Sequence, residues 1–287
     1  MEIEVLADHR PTASPEDLEK AAKIRKILHA KQRMSIEDTS SKKSTIAGRR
    51  GGKTFGEAAD LIIHGLENPL ANNLFVTLAK SHARTLLWDN PKTGLKVLNK
   101  MFDLGLHMNN TKAIAALPNG SLISLHGATK ADELEKIRGR ANDRVKVDEC
   151  ASFSPARLEN LVDKCISRTQ PDYNGRMTLC GTPGPVPAGP WWDATSIHIY
   201  GENPFSNEKP KCISYADGWL AEPGEYEWSC HRYTFEDNVA IPNLREFAFQ
   251  EKLRKRWDDD DPIWLDEWMG LWVLDFASLT YRYKPEY

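Results

Sequence analysis

Residues 43–55 read KSTIAGRRGGKTF, a short β-branched run followed by two arginines, two glycines, a lysine and a threonine. The run predicts a buried strand over Ser44–Ala47, and the segment behind it predicts a helix over Thr54–Leu66. The glycine-rich turn therefore lies between a strand's carboxyl end and a helix N-terminus. Backbone N–H groups can converge there on phosphate oxygens, with the helix dipole behind them. Against the phosphate-loop pattern GxxxxGK[ST], Ala47 stands at the first glycine and Gly52, Lys53 and Thr54 complete the motif. On this reading Gly48, Arg49, Arg50, Gly51 and Gly52 wrap the phosphates of ATP. Lys53 reaches the β- and γ-phosphates, and the Thr54 hydroxyl binds Mg2+. The competing reading is a basic loop that happens to hold glycines; the strand before it, the helix after it and the intact Gly-Lys-Thr weigh against that.

Two further strand ends belong with this loop. Arg144-Val-Lys-Val-Asp148-Glu149 predicts a strand closing on two carboxylates. Beside a phosphate cradle, Asp148 would hold the Mg2+ shell and Glu149 would orient and polarise the attacking water. Thr178-Leu-Cys-Gly-Thr182-Pro183 predicts a hydrophobic strand whose closing hydroxyl, that of Thr182, could sense the γ-phosphate and pass on its loss. A plain turn after a strand is the alternative for that segment.

Around these pieces helices and strands alternate. Ser14 or Pro15 opens an amphipathic helix, Leu74–Ala79 reads as a strand, and Ala83–Leu104 as one helix or two broken near Pro91. Ala113–Leu117 and Ser121–Leu125 flank Pro118-Asn119-Gly120, a hairpin signal. Ser154–Ser167 reads as a helix and Arg176–Cys180 as a strand. The order predicts an α/β fold, a mostly parallel sheet flanked by helices. Pro and Gly become frequent after about Pro185, and a helical tail is expected over Asn243–Gly270. We therefore expect a core over residues 1–205 and a small C-terminal linker or lid subdomain over 206–287.

The totals narrow the function classes. With 287 residues, 40% hydrophobic content and nine tryptophans, the chain can bury a sizeable core. Five widely spaced cysteines form no CxxC pair, so neither a zinc site nor a disulfide framework is indicated. They are expected to be reduced and mostly buried. A net charge of −3 argues against a protein coated in basic surface. No apolar run is long enough to span a bilayer and no signal peptide is read, so a cytoplasmic protein is expected.

The order of these motifs resembles the ATPase domain of the large terminase subunit of tailed bacteriophages, over about Leu28 to Tyr281. LHAKQRM (28–34) resembles the family's adenine-binding motif, which implies that Gln32 reads the base. AGRRGGKT resembles its deviant Walker A, RVKVDE its Walker B, and CGTP its coupling motif. HARTLLW (82–88), NGSLISLHGA, DNVAIP (237–242) and DEWMGLWV (266–273) resemble further segments in the family's order. The resemblance implies a P-loop NTPase of the additional-strand (ASCE) class, with ATP and Mg2+ as cofactors. It implies that Arg49 senses or stabilises the γ-phosphate within its own subunit, and gives Arg50 no role of its own. From EKIRGRAND it implies a finger reaching the neighbouring subunit's site. Arg138 has the family's spacing to Glu149, and Arg140 is the competitor. The bland alternative is that both arginines are surface residues paired with Asp132, Glu133 or Asp143.

Double-stranded DNA, a portal protein, a small terminase subunit and a homo-oligomeric ring of five subunits are the partners so implied, in the host cytoplasm and at the procapsid portal vertex. No membrane is implied, and the isolated chain is expected to be monomeric and slow. The family's nuclease domain would begin near Tyr287, so no nuclease activity is expected, and Asp275 is read as part of the linker's end. Two other readings stand beside this one: a helicase or remodelling ATPase of the same superclass, and a non-hydrolysing nucleotide-binding scaffold, against which Glu149 speaks. The tryptophans at 264, 268 and 272 are read as core rather than as a stacking platform for bases. The run Asp258–Asp261 is read as an exposed turn.

Overall fold

The computed structural model describes residues 10–138, 141–166, 175–201, 212–214 and 227–274. Strand β1 (Lys42–Ala47) carries the opening motif and is flanked on both sides by parallel strands, β7 (Arg176–Gly181) and β9 (Trp228–Tyr233). The remaining strands are β2 (Asn72–Thr77), β3 (His107–Asn109), β4 (Ile114–Ala116), β5 (Leu122–Gly127), β6 (Arg144–Val147) and β8 (Cys212–Ser214). Among the described residues they form one nine-stranded sheet in the order β3-β4-β5-β2-β6-β7-β1-β9-β8. Only the β3–β4–β5 pairings are antiparallel. The additional strand is β7, inserted between the strand of the phosphate loop and the strand of the paired acids. This is the P-loop ASCE arrangement, and its parallel strands deliver the loop, the acids and Thr182 to the same rim of the sheet.

Helices cover both faces. Helix α1 (Pro15–Ile27) starts on Ser14, whose hydroxyl accepts from the Asp17 amide, with a proline and two acids in its first turn. It is followed by α2 (Ala30–Glu37) and α3 (Lys53–Glu67). The helices α4 (Lys80–Ala83), α5 (Leu95–Phe102), α6 (Ala131–Arg138), α7 (Pro155–Ile166), α8 (Gly189–Thr195) and α9 (Leu244–Lys255) complete the set. One apolar core joins α1, α3 and α5 to Phe75, Ile123 and Leu125; a second, on the opposite face, joins α6–α8 to Ile46, Val145, Val147 and Leu179. A third, smaller core gathers Phe235, Leu244, Ala248, Trp264, Leu265 and Trp268.

The hairpin forms as expected: Gly120 takes φ +84° and its amide donates to the Leu117 carbonyl at 3.0 Å. The segment after β2 departs from an ordinary helix. Helix α4 widens into a π-helical turn at Arg84–Trp88, and the chain restarts as a helix only at Leu95. Asn90, before Pro91, turns the chain by accepting from the amides of Lys92 and Thr93.

The C-terminal part is more elaborate than the sequence suggests in three respects. The sheet does not end at residue 205, because β8 and β9 extend it on the far side of β1, and a boundary there cuts a single hydrogen-bonded layer. The helical tail is broken: α9 stops where Arg256 turns left-handed (φ +56°), and a π-helical turn at Trp264–Trp268 begins after Asp261 caps it. The tryptophans are core, yet divided. Trp264 and Trp268 stack in the C-terminal core, while Gly270 (φ +61°) breaks the helical phase and sends Trp272 into the second core, against Trp192. Asp258–Asp260 form an exposed turn as expected, while Asp261 is half-buried, and the five cysteines are free and buried. Arg140 and Asp275 lie outside the described residues.

Candidate functional site

The loop after β1 is held from outside by its carbonyls. His29 Nε2 contacts the Gly51 carbonyl at 3.0 Å, Gln32 Nε2 donates to the Gly52 carbonyl at 2.7 Å, and Asn238 Nδ2 donates to that of Arg50 at 2.7 Å. With the carbonyls committed outward, the amides at the head of α3 remain for a ligand. Gly52 supplies the left-handed turn (φ +89°) that opens the helix, and no side chain caps it. The first-turn N–H groups of a helix have no partner inside it, so this end is built for an anion. Gly48 is required for a different reason: a Cβ there would lie 1.9 Å from the Trp268 carbonyl oxygen.

Lys53, Asp148 and Glu149 come together. Lys53 Nζ lies 2.5 Å from Asp148 Oδ1 and 3.3 Å from Glu149 Oε1. Burial disfavours the ammonium, but Asp148, Glu57 and Glu149 outweigh it and hold the Lys53 pKa well above that of a free lysine. Asp148 is fully buried, and among the described residues its second oxygen, Oδ2, has no hydrogen-bond partner. Glu149 sits in the left-handed region (φ 57°, ψ 44°), with its amide on Asp148 Oδ1 at 2.7 Å. A non-glycine residue adopts that conformation at a cost of about 1 kcal/mol, the kind of local strain that collects at functional sites. Thr182 follows β7 directly, and its carbonyl accepts from Trp191 Nε1 at 3.0 Å.

Three expected residues stand elsewhere or differently. Gln32 is 4% exposed, and both ends of its amide are used, Oε1 by the His29 amide and Nε2 by the loop, so no free edge faces a base. Arg49 turns away from the cradle to pair with Glu267. Arg50 is exposed and lies over the Phe247 ring, 4.3 Å from its centroid. Arg138 is the last residue of α6, the crossover from β5 to β6.

Sequence reasoning missed a buried polar layer beneath the loop. Lys53, Glu57, Asp60 and His64 follow the 4-3-4 spacing of a single helix face, and all four point toward the sheet. They meet Lys43 and Thr45 of β1, Lys146 of β6, and Thr178 and Cys180 of β7, all buried. Burial, reinforced by the Asp148 charge, pushes the Glu57 carboxyl up to about 8, and neither of its oxygens is hydrogen-bonded among the described residues. Lys146 and Asp60 form a buried ion pair, an electrostatic contact rather than an aligned hydrogen bond. Farther out, His231 Nε2 bonds Asp38 at 2.8 Å. The missed signal was the 4-3-4 run of polar residues inside an otherwise apolar helix.

Residues 45–183 match the family model described as "Terminase large subunit, T4likevirus-type, N-terminal". Among solved structures, the chain is similar to the large terminase ATPase domain of Thermus phage P74-26, with TM-score 0.58 and 14% identity over 91% of this chain and 99% of that one. It is also similar to the large terminase of a thermophilic bacteriophage, with TM-score 0.54 and 12% identity over 92% of this chain and 54% of that one. A form of the latter in complex with ADP superposes with TM-score 0.57 and 14% identity, over 86% of this chain and 54% of that one. No curated protein matches the chain.

Proposed function

From the match of residues 45–183 to the N-terminal model of the terminase large subunit, we propose that the chain carries that ATPase domain and hydrolyses Mg-ATP to drive double-stranded DNA into a procapsid. The observation that carries the hydrolytic part is the meeting of Lys53 with Asp148 and Glu149 at the open end of α3. In this structure the ammonium pairs with one oxygen of each acid. A triphosphate on the loop would draw Lys53 to its own oxygens and release both carboxylates for other work.

The donor set suits Mg2+. The unpartnered, buried Asp148 Oδ2 and the Thr54 hydroxyl at the helix head are hard oxygen donors, and one or two such groups beside phosphates is how Mg2+ is commonly held. Bound there, the ion would neutralise charge building on the transferring phosphoryl group. Glu149, one-third exposed at the rim, would accept the proton of the attacking water. Thr182 would sense the γ-phosphate from the neighbouring strand end. Arg49 would complete the cradle after leaving Glu267, and Gln32 would reach a base only after giving up its contact with the loop.

The assembly is the finer part of the proposal. Helix α6 runs back from the carboxyl rim of the sheet toward the start of β6, carrying the backbone of Arg138 away from its own loop. That course favours a finger acting on a neighbouring subunit in a homo-oligomeric ring, five-membered by the family resemblance. A portal protein, a small terminase subunit and DNA would be its partners in the host cytoplasm. The division proposed with it is a P-loop core followed by a lid around the third apolar core. The described residues hold no helix long and apolar enough to cross a membrane.

The test is phosphate release from ATP with Mg2+ by the wild-type chain and by Glu149→Gln. We expect turnover in the first and a loss of about 10² or more in the second at retained nucleotide binding. Binding without hydrolysis in the wild type, with or without DNA, would instead favour a nucleotide-binding scaffold.

A further inference from the structure

The buried polar layer is costly, and its form says what it supplies. Lys146 is 3% exposed, Asp60 3% and Thr178 1%, yet a charge pair of this kind is often replaceable by apolar side chains without loss of stability. What a directional pair adds to apolar packing is a fixed partner on each element it joins, and setting register is the best-attested use of such buried groups. Lys146 sits on β6 between two partners on two other elements: the Asp60 carboxylate on α3, and the Thr178 hydroxyl on β7, to which it donates at 3.1 Å. The sheet register pairs Lys146 with Thr178, and Thr178 with Lys43 on β1. Lys43 in turn donates to the carbonyls of Ser35 at 2.6 Å and Asp38 at 3.3 Å. One cross-strand row thus spans the strands that lead to the loop, to Thr182 and to the paired acids.

Each member lies a fixed short step from a reacting group. Lys146 precedes Asp148 by two residues and so shares its face of the strand; Thr178 precedes Thr182 by four; Asp60 lies two turns beyond Lys53 on the same helix face. On the wager that this site is an ATPase, we propose that Lys146, held between Asp60 and Thr178, is a positioning residue that sets the reaction geometry by locking α3 against β6 and β7. A slip of α3 by one residue is a shift of about 1.5 Å along its axis. A displacement of about 1 Å in a reacting group can cost about 10² in rate, far more than the pair contributes to stability. The row touches none of the reacting atoms and acts only through the elements it joins.

Thr178→Val removes the hydroxyl at nearly constant shape, Thr178→Ser restores it, and Asp60→Leu with Lys146→Met removes the ion pair as a unit. With wild-type turnover as the reference, Thr178→Val is expected to lower kcat about five- to tenfold with KM for ATP near that of wild type, and to lower the thermal midpoint by a few degrees because a buried ammonium loses a partner. Thr178→Ser is expected to recover most of that loss, and the double variant to lose more than tenfold. A merely structural role would lower the thermal midpoint and leave kcat alone. Amide exchange over residues 53–60 and 145–149 of the nucleotide-free chain gives a second reading that needs no turnover, expected to quicken severalfold with valine and not with serine. If the wild type hydrolyses ATP and valine and double variants match its kcat, the positioning role is wrong while the ATPase stands. If the wild type does not hydrolyse ATP, that reading falls and exchange alone decides: equal rates in all variants overturn the lock, and the valine-specific increase supports it.

Discussion

Arg49 and Glu267 face each other as a two-pronged ion pair, Nε to Oε2 at 2.9 Å and Nη2 to Oε1 at 3.0 Å, while the Arg49 amide donates to the Glu267 carbonyl at 2.5 Å. The loop is thereby tied to the π-helical turn of the C-terminal core. An arginine that is to reach a γ-phosphate has to leave this partner first. The pair is partly exposed, 59% on the arginine side, so its net contribution is about 1 kcal/mol or less. Glu267→Gln should therefore lower KM for ATP by about two- to fivefold, with kcat near wild type. Arg49→Ala should instead lower kcat. Steady-state kinetics of both variants check this, and an unchanged KM in Glu267→Gln would remove the latch.

Lys53 and Glu149 should separate stability from turnover. Both substitutions, Lys53→Met and Glu149→Gln, are expected to reduce ATP hydrolysis by about 10² or more. Only the first strands a fully buried carboxylate, because Asp148 loses the ammonium beside it. Breaking a buried pair on one side costs about 3–5 kcal/mol, whereas a change at the partly exposed Glu149 should stay within about 0.5 kcal/mol. Urea unfolding without Mg2+ would read the difference. Equal midpoints for the two variants would mean that the pairing of Lys53 with Asp148 contributes nothing to the stability of the free protein.

The finger assignment predicts a dependence on neighbours. If Arg138 acts across a subunit boundary, ATPase activity per chain should rise steeply with protein concentration, since such a finger contributes about 10³ to 10⁵ in rate. Arg138→Ala should remove the rise and leave the dilute rate unchanged. A flat concentration profile in the wild type, unaltered by the substitution, would assign Arg138 to the surface.

Much of this architecture was legible because the signals were local. The glycine-lysine-threonine run, the strand ending in Asp148-Glu149 and the Asn-Gly hairpin each fix their own backbone through propensity and turn chemistry. The parallel order then follows from the alternation of strands and helices. What was not legible depends on pairing between distant segments. Nothing in the sequence near residue 230 says that β9 will lie beside β1; the Pro- and Gly-rich stretch before it suggests a separate unit instead. Arg49 and Gln32 have motif positions but no sequence signal for the partners that hold them, Glu267 and the Gly52 carbonyl. Asp60, Lys146 and Thr178 read as ordinary polar residues until three elements stack and bury them together.

His64 gives the layer a signature in acid. It closes the polar face of α3, with Nδ1 at 2.8 Å from Asn73 Oδ1. Burial, with Arg144 nearby, depresses its pKa from 6.5 to about 3. The native chain thus holds His64 neutral at pH values where the unfolded chain binds a proton. Its contribution to stability is fully present above pH 6.5 and is lost as the pH falls through the window down to about 3. At pH 5 the loss should be about 2 kcal/mol. His64→Gln has no such proton to bind, so it should start about 1 kcal/mol less stable than wild type at pH 7 through a weakened hydrogen bond, and draw level or overtake near pH 5. His198, also pushed down to about 3 by burial, keeps some acid sensitivity in the variant, so the difference between the two curves is the quantity to read. Urea unfolding of both proteins at pH 7, 6 and 5 measures it. Parallel curves would mean that His64 is protonated, or solvated, in the folded chain.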